Sequence, residues 1–425
     1  MRRRRFLGVS AAGAATAAIT PALTSCGGGG GGSGTTLTVV AADYGDSAAN
    51  GSQEYWDKLA RAFEAEHEDI EVDVKVYSWT EVDRKVADMV RRGEAPDLAQ
   101  IGAYADFAAA GKLYRADQLL SISTQAGFIE SIAEAGKVGR VQYGLPFVAS
   151  ARLLFYNKTL FEQAGITAAP TDWDELKDAA EKLKTAGVKI PYGLPLGPEE
   201  APAETMLWML SGGGGYTDTN GTYTLDSPEN VKTFEWLRDE LVGEHLTGPG
   251  TPGRTNRQQL FDAFARGEVG MLNGHPTLMK QAEKGGVKYG TAPLPGIHGK
   301  ARSTMGIADW MMAFKQNGRQ EEIGRFLDFV YAKENVLEFA VRYDLLPVTA
   351  AASDAMRESR DHKRLWQFLD ELRHAEFLPY SKTSWATVSK GLKEKIGAVV
   401  AEGGDPASVL GELQRAGDEA EVAGR

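Results

Sequence analysis

Residues 37–101 alternate strand-like and helix-like periodicity in a fixed order, and this order narrows the possible folds more than any other feature of the chain. "LTVVAADY" is a short apolar run of the kind that makes a strand buried on both faces. Trp56, Leu59, Ala60 and Phe63 then fall on one helical face. "IEVDVKVY" alternates strictly, with Ile70, Val72, Val74 and Val76 on one side, and reads as a half-covered strand. Val82, Val86, Met89 and Val90 form a second helical stripe stopped near Gly93, and after Pro96 the run "DLAQIG" supplies a third strand. Such a β-α-β-α-β order predicts a parallel sheet with right-handed crossovers.

A second unit begins at Arg152 with the strand "RLLFYNK". In "PTDWDELKDAAEKLKTAG", Asp172 and Glu175 have the spacing of a capping box ahead of an apolar face of Leu176, Ala179 and Leu183, and Gly187 closes the helix. "YTDTNGTYTL" reads as a hairpin around Asn220-Gly221, and "DSPENVKTFEWL" as a helix with Pro228 in its first turn. The C-terminal third is mostly helical, with Trp385, Val388, Leu392, Ile396 and Val399 in one stripe that reads as core packing. A chain of 425 residues, 43% of them hydrophobic, exceeds one ordinary core and predicts two lobes of roughly 200 residues each.

The chain opens with Arg2 to Arg5 and an Ala/Gly-rich, weakly apolar run without acids, as in an export signal; Arg3, Arg4, Phe6 and Leu7 fit a twin-arginine core. Leu23-Thr24-Ser25-Cys26 resembles a bacterial lipobox, and Cys26 is the only cysteine, so it reads as an acylated mature N-terminus followed by a glycine-rich tether. Residues 1–25 are then the signal peptide and 26–35 the lipidated cysteine and tether. Losing the leader moves the formal charge from 47 − 58 = −11 to 43 − 58 = −15, a surface that repels phosphate backbones and disfavours nucleic acid as a partner.

The sequence holds no G-x-S-x-G, H-E-x-x-H or Walker-type motif. The six histidines include no pair three or four residues apart on one helix, so no metal or other cofactor is expected. Ligands of open α/β sheets bind beyond the carboxyl ends of strands, and there aromatic and polar residues accumulate. Asp43 and Tyr44 follow the first strand, Ser78 and Trp79 the second, and Gly102 and Ala103 the third, with Gln100 nearby. In the second unit "FDAFARGEVGMLNGHP" reads as helix, glycine stop, strand, then a turn at Asn273, Gly274 and His275; Trp208 precedes a glycine loop, and Asp309-Trp310 sits where a strand is entered. Flat aromatic faces combined with carboxylates and amides suit a sugar, which offers apolar C–H faces and a ring of hydroxyls.

Several phrases, in order, carry a likeness: "APDLAQI", "GLPFVASARLLFYNKTLFEQAGI", "PTDWDELKDAAEKL", "LSGGGGYTDTNGTYTLDSPENVKTFEWL", "FARGEVGMLNGHP", "APLPGIHGKARSTMGIADWMMAF" and "RFLDFVYAKENVLEFAVRYDLLPV". The chain resembles, over nearly all of its mature length, the extracellular solute-binding proteins of sugar-type ABC importers, the family that includes maltose-binding protein. The resemblance implies an α/β periplasmic-binding-protein-like fold of two lobes, each a mostly parallel sheet flanked by helices, around a ligand cleft. It places residues 36–149 and 303–335 in one lobe and 150–302 and 336–425 in the other, with crossings near Val148 to Ala151, Gly296 to Ser303 and Asn335 to Tyr343. Carried over position by position, its cleft residues are Asp43, Tyr44, Trp79, Gln100, Trp208, Asn273, His275, Asp309, Trp310 and Tyr343. His275, where members often carry an aromatic, and Met305, where they often have a glycine beside Gly306, leave the ligand's size and identity open. The implied protein is a monomer, exported and lipid-anchored to the outer face of the cell membrane. It would carry a mono- or oligosaccharide to ABC permease subunits and would not be an enzyme. A secreted glycan-acting lipoprotein enzyme, or a sensory partner delivering ligand to a membrane receptor, are the alternatives.

Overall fold

The computed structural model describes residues 34–45 and 50–423. The leader, Cys26 and all of the tether before Gly34 lie outside these residues.

Thr35–Ala42 lies one strand in from the edge of the first sheet, parallel to Ile70–Tyr77 on one side and to Leu98–Ile101 on the other, as the crossover pattern requires. Ile70–Tyr77 is an edge strand and alternates buried and exposed residues, whereas Leu98–Ile101 is buried throughout. The sheet is completed from far away in sequence. Met305–Ala313 inserts antiparallel to Leu98–Ile101, and it pairs in turn with Leu145–Ala151 (antiparallel) and Glu376–Phe377 (parallel). A buried ionic clamp holds this join. Asp97 accepts from the Thr38 amide at 2.7 Å and its hydroxyl at 2.9 Å, from Asn317 at 3.0 Å and from Arg319 at 2.8 Å.

The second sheet runs Tyr289–Ala292, Leu153–Asn157, Val269–Gly274, Ile190–Gly193, with the last two parallel and the other neighbours antiparallel. Its alternating side chains serve two helical layers. Leu154, Tyr192 and Met271 face the helices Trp173–Thr185 and Ala201–Ser211, while Leu153, Phe155 and Leu272 pack in the cluster of Phe261, Phe264, Leu278 and Phe368. Only Arg152 separates the strand Leu145–Ala151 of the first sheet from Leu153–Asn157 of the second.

Local expectations meet the structure closely. Asp172 Oδ1 accepts from the Glu175 amide at 2.9 Å, although the Glu175 carboxylate turns to Thr171 and not to Asp172. Ser227 caps a helix with Pro228 in its first turn. The turn at Asn220-Gly221 forms, with Gly221 at φ +79°, but its flanks make a single bridge, Thr217 to Tyr223, and no hairpin strands. The Trp385 stripe is buried in full. The helix Lys333–Arg342 departs from the expected crossing near Asn335 to Tyr343: it packs on the core of the first sheet, its Phe339 ring 4.7 Å from Phe147 and 4.8 Å from Tyr55. Leu346 and Thr349 then bridge to Ala149 and Phe128. Trp385–Val399 and Pro406–Ala423 pack against the second.

Candidate functional site

The first wall is built on Asp309. This residue lies in the middle of the strand Met305–Ala313, not at its entry, and the ladder to Leu145–Ala151 shifts register between Asp309 and Trp310. A bulge there re-aims neighbouring side chains. Trp310 is 0% exposed and packs edge-on to Tyr104 at 5.3 Å; Gly144 lies beneath both rings, where a Cβ would come within 3.1 Å of Trp310. Trp310 is thus a core residue, a correction to its expected place in the cleft. Asp309 stays half-buried, and its Oδ2 accepts from the Tyr44 hydroxyl at 2.8 Å. Gln100 fixes that tyrosine: its Nε2 donates to the Tyr44 oxygen at 2.7 Å and its Oε1 accepts from the Ala42 amide at 2.9 Å. With both ends used and no surface exposed, Gln100 positions Tyr44 and does not reach a ligand.

Burial pushes the Asp309 carboxyl up to about 7, the Tyr44 bond opposing and the nearby Asp83 charge adding. Tyr44 meets Trp79 edge-on at 5.3 Å and lies 5.8 Å from Tyr343. Trp79 is 37% exposed, an open aromatic face on this wall. The buried Tyr343 hydroxyl has no hydrogen-bond partner among the described residues. Asp43 acts locally, its Oδ1 accepting from the amides of Gly45 and Ser52, both at 2.9 Å, which closes the loop into the helix Ser52–Glu66.

The opposite wall is a chain of ion pairs. Arg152 Nη2 reaches Glu200 Oε1 at 3.0 Å; Arg257 reaches Glu200 Oε2 at 3.2 Å and Glu199 Oε1 at 2.6 Å. Arg257 Nη1 lies 2.7 Å from His275 Nε2, and His275 Nδ1 lies 2.8 Å from Thr277 Oγ1. A guanidinium can only donate, so Nε2 accepts and Nδ1 carries the proton toward Thr277. Burial and the two arginines hold His275 well below the usual histidine range, hence neutral at pH 7.

Beside this chain Glu204 accepts from Trp208 Nε1 at 2.9 Å and from Asn273 Nδ2 at 3.0 Å, both on Oε1. Burial, with help from Glu200, raises its carboxyl to about 8. Trp208 is 3% exposed, packed tilted or edge-on among Trp173, Tyr192 and Trp236 inside a helix buried along its whole length. It therefore supports the wall and offers no face to a ligand, another correction.

Tyr380 joins the two walls. Its half-buried hydroxyl is pushed above the ordinary tyrosine range by burial first, then by Asp309 and Glu200, with Arg152 opposing and Asp83 adding. The ring itself packs against both hydrophobic clusters. Next to it, residues 375–379 and 381–383 border a groove of about 650 Å³ between the lobes, lined also by Ser131, Glu134, Thr217 and Asn220.

Periodicity missed Asp83, Arg152, Glu199, Glu200, Glu204, Arg257 and Tyr380. Two signals were visible: a lone arginine inside the apolar stretch "VASARLLFY", and the pair Glu199-Glu200 beyond the strand Ile190–Gly193.

Residues 49–336 match the family model described as bacterial extracellular solute-binding protein. A putative binding protein of Brucella abortus (strain 2308) is 30% identical over 364 residues, 84% of this chain and 87% of that protein. The sn-glycerol-3-phosphate-binding periplasmic protein UgpB of Escherichia coli (strain K12) is 26% identical over 332 residues, 71% of this chain and 73% of its own. Among solved structures, the cyclic alpha-maltosyl-1,6-maltose binding protein of Arthrobacter globiformis superposes with a TM-score of 0.76 at 17% identity, covering 91% of this chain and 99% of that one. Maltose-bound MalE3 of T. maritima gives 0.72 at 20% identity, with the same coverage. These likenesses establish the two-lobe fold of the maltose-binding-protein type.

Proposed function

This chain belongs to the bacterial extracellular solute-binding protein family, and on that premise we propose that it captures a carbohydrate between its two lobes and passes it, unaltered, to an ABC permease. The observation that carries the reading is the groove of about 650 Å³ between the lobes, bordered by Ser131 and Glu134 on one side and Thr217 and Asn220 on the other, beside a Tyr380 ring packed against both hydrophobic clusters. A solute seated there would touch both lobes. A ligand shifts an open–closed equilibrium only by its preference for one state, and a swing from 1:99 to 99:1 takes about 5.5 kcal/mol, so contacts from both walls are what closure needs.

The ligand-facing set in this reading is Trp79, Tyr44, Asp309 and Tyr343 on one side, and Asn273 and His275 on the other, with Arg152, buried and paired with Glu200, supporting them. Trp79 supplies a flat apolar face and Asp309 a paired acceptor, the combination a sugar ring requires. Names of neighbours support the chemistry: the Arthrobacter globiformis protein is named for a cyclic maltosyl-maltose, and MalE3 is maltose-bound. Acylation of Cys26 would hold the body near the membrane on its glycine tether, with a root-mean-square span of about 16 Å, and so raise its concentration beside the permease.

The test is a sugar panel against the full chain purified in detergent, read by thermal shift and tryptophan fluorescence, with chromatography of the sugar afterwards. A saturable response with the sugar recovered intact is expected. Recovery of a cleaved or modified sugar would replace the receptor by an enzyme, and silence across mono-, di- and oligosaccharides would remove the carbohydrate reading.

A further inference from the structure

We propose that this cleft excludes anions: its ligand is a hydroxylated solute without a phosphate or carboxylate, and a phosphate ester is rejected. The proposal rests on the reading of the interlobe cleft as the ligand site and narrows its chemistry.

A phosphate is held by cations with free donors, usually a guanidinium fork or a cluster of unused N–H groups. Among the described residues the walls of the cleft carry two guanidiniums, and both are spent within the protein. Arg152 pairs with Glu200 at 3.0 Å and donates to Ser150 Oγ at 3.3 Å. Arg257 hydrogen-bonds Glu199 at 2.6 Å and the neutral His275 at 2.7 Å through its two terminal nitrogens, while its buried Nε lies 3.2 Å from the Glu200 carboxylate as an ion pair without a hydrogen bond. Lys382, at the adjoining groove, is paired with Glu421 at 3.1 Å. Against these stand Asp83, Asp309, Glu199 and Glu200, with Glu204 behind them.

Helix N-termini attract anions through their free amides and dipole. Here the first amides of the helix Ala201–Ser211 are already used by backbone carbonyls, Ala201 by Gly197 and both Ala203 and Glu204 by Glu200, and Pro202 has no amide proton to offer. Burial and neighbouring acids disfavour ionisation of both Asp309 and Glu204, and an incoming dianion meets the same low-dielectric, acid-rich surroundings. The relation to UgpB, whose name specifies glycerol 3-phosphate, makes this a discriminating statement within the family.

Isothermal titration of the full chain in detergent with glycerol 3-phosphate, and separately with inorganic phosphate, tests it. The wild type is expected to give no saturable heat at millimolar ligand. The Glu199→Gln/Glu200→Gln variant frees both guanidiniums and is expected to gain at least about tenfold in phosphate affinity, a gain that fades as salt is raised. Asp309→Asn, on the opposite wall, is a second variant and should shift the same way by a smaller factor. Saturable binding of either phosphate by the wild type overturns the proposal. So does an absence of gain in variants whose melting curves match the wild type, because the carboxylates would then not be what keeps anions out. The readout is phosphate alone, so a failed sugar panel counts against the carbohydrate reading and leaves this one to its own result.

Discussion

Asp309 and Glu204 are the two side chains whose chemistry depends most on their surroundings. Both are carboxyls that folding makes harder to ionise, to about 7 and about 8 respectively. For such a group the native state holds its proton longer than the unfolded chain, so its contribution to stability is complete below the unfolded pKa near 4 and is lost as pH rises through the folded value. Raising pH from 5 to 9 is therefore expected to lower the melting temperature of the wild type. Glu204→Gln keeps an acceptor for Trp208 and Asn273 without the titration. It should be more stable than the wild type at pH 9 by on the order of 2 kcal/mol and equal to it at pH 4. Parallel melting curves of the two across that range would sink the assignment. Ligand binding runs the other way at Asp309: the ionised oxygen is the better acceptor, so affinity should rise between pH 6 and 8. Asp309→Asn should flatten that rise and cost roughly 1.5–3 kcal/mol of binding, the range for hydrogen bonds to charged groups.

At the scale of elements, contacts between distant segments decide which substitutions the fold accepts. Gly397 lies inside the helix Trp385–Val399, where alanine is intrinsically favoured by about 1 kcal/mol. Yet the backbone of Gly253 rests on it: a Cβ built on Gly253 would come within 2.6 Å of the Gly397 Cα, and the reverse contact is as tight. Gly397→Ala should therefore destabilise by about 1–3 kcal/mol through overpacking, against its helix propensity. Urea melts check this; a stabilised variant would mean that the helix moves freely. The helix Lys333–Arg342 gives a second case. Its Phe339 touches Trp56, Phe147, Tyr44 and Tyr343, and so braces both the first core and the aromatic wall of the cleft. Phe339→Ala is expected to cost about 3–5 kcal/mol of stability and to lower ligand affinity as well. A full loss of stability with unchanged affinity would separate the helix from the site.

For the molecule as a whole, function in the proposed reading is a motion, and both walls must contribute. Trp79→Ala and His275→Ala lie on opposite lobes, and each should weaken sugar binding by at least about tenfold, or 1.4 kcal/mol. Small-angle scattering should show a smaller radius with ligand than without. If one variant abolishes binding and the other leaves it intact, the two-sided clamp is wrong. Replacing Cys26 with serine should release the chain from the membrane fraction, and its retention there would count against the lipid anchor.

What the sequence determined by itself is local. The parallel trio of strands, the half-buried Ile70–Tyr77, the cap at Asp172 and the buried Trp385 stripe all follow from periodicities of 2 and 3.6 residues, which act over a few neighbours. Tyr44, Trp79 and Asp309 were legible as candidates for the proposed site, because strand ends and an ordered family likeness point there. The tertiary structure alone decided that a strand from residue 305 onward would enter the first sheet antiparallel. It also set the bulge at which Asp309 stays half-buried against Tyr44 while Trp310 enters the core. The same holds for the chain from Arg152 through Glu200 and Arg257 to His275. Tyr44 and Asp309 share a hydrogen bond across 265 residues of sequence. An ionisation equilibrium or a packed ring depends on distance in space, and no pattern along the chain encodes which remote residues will share that space.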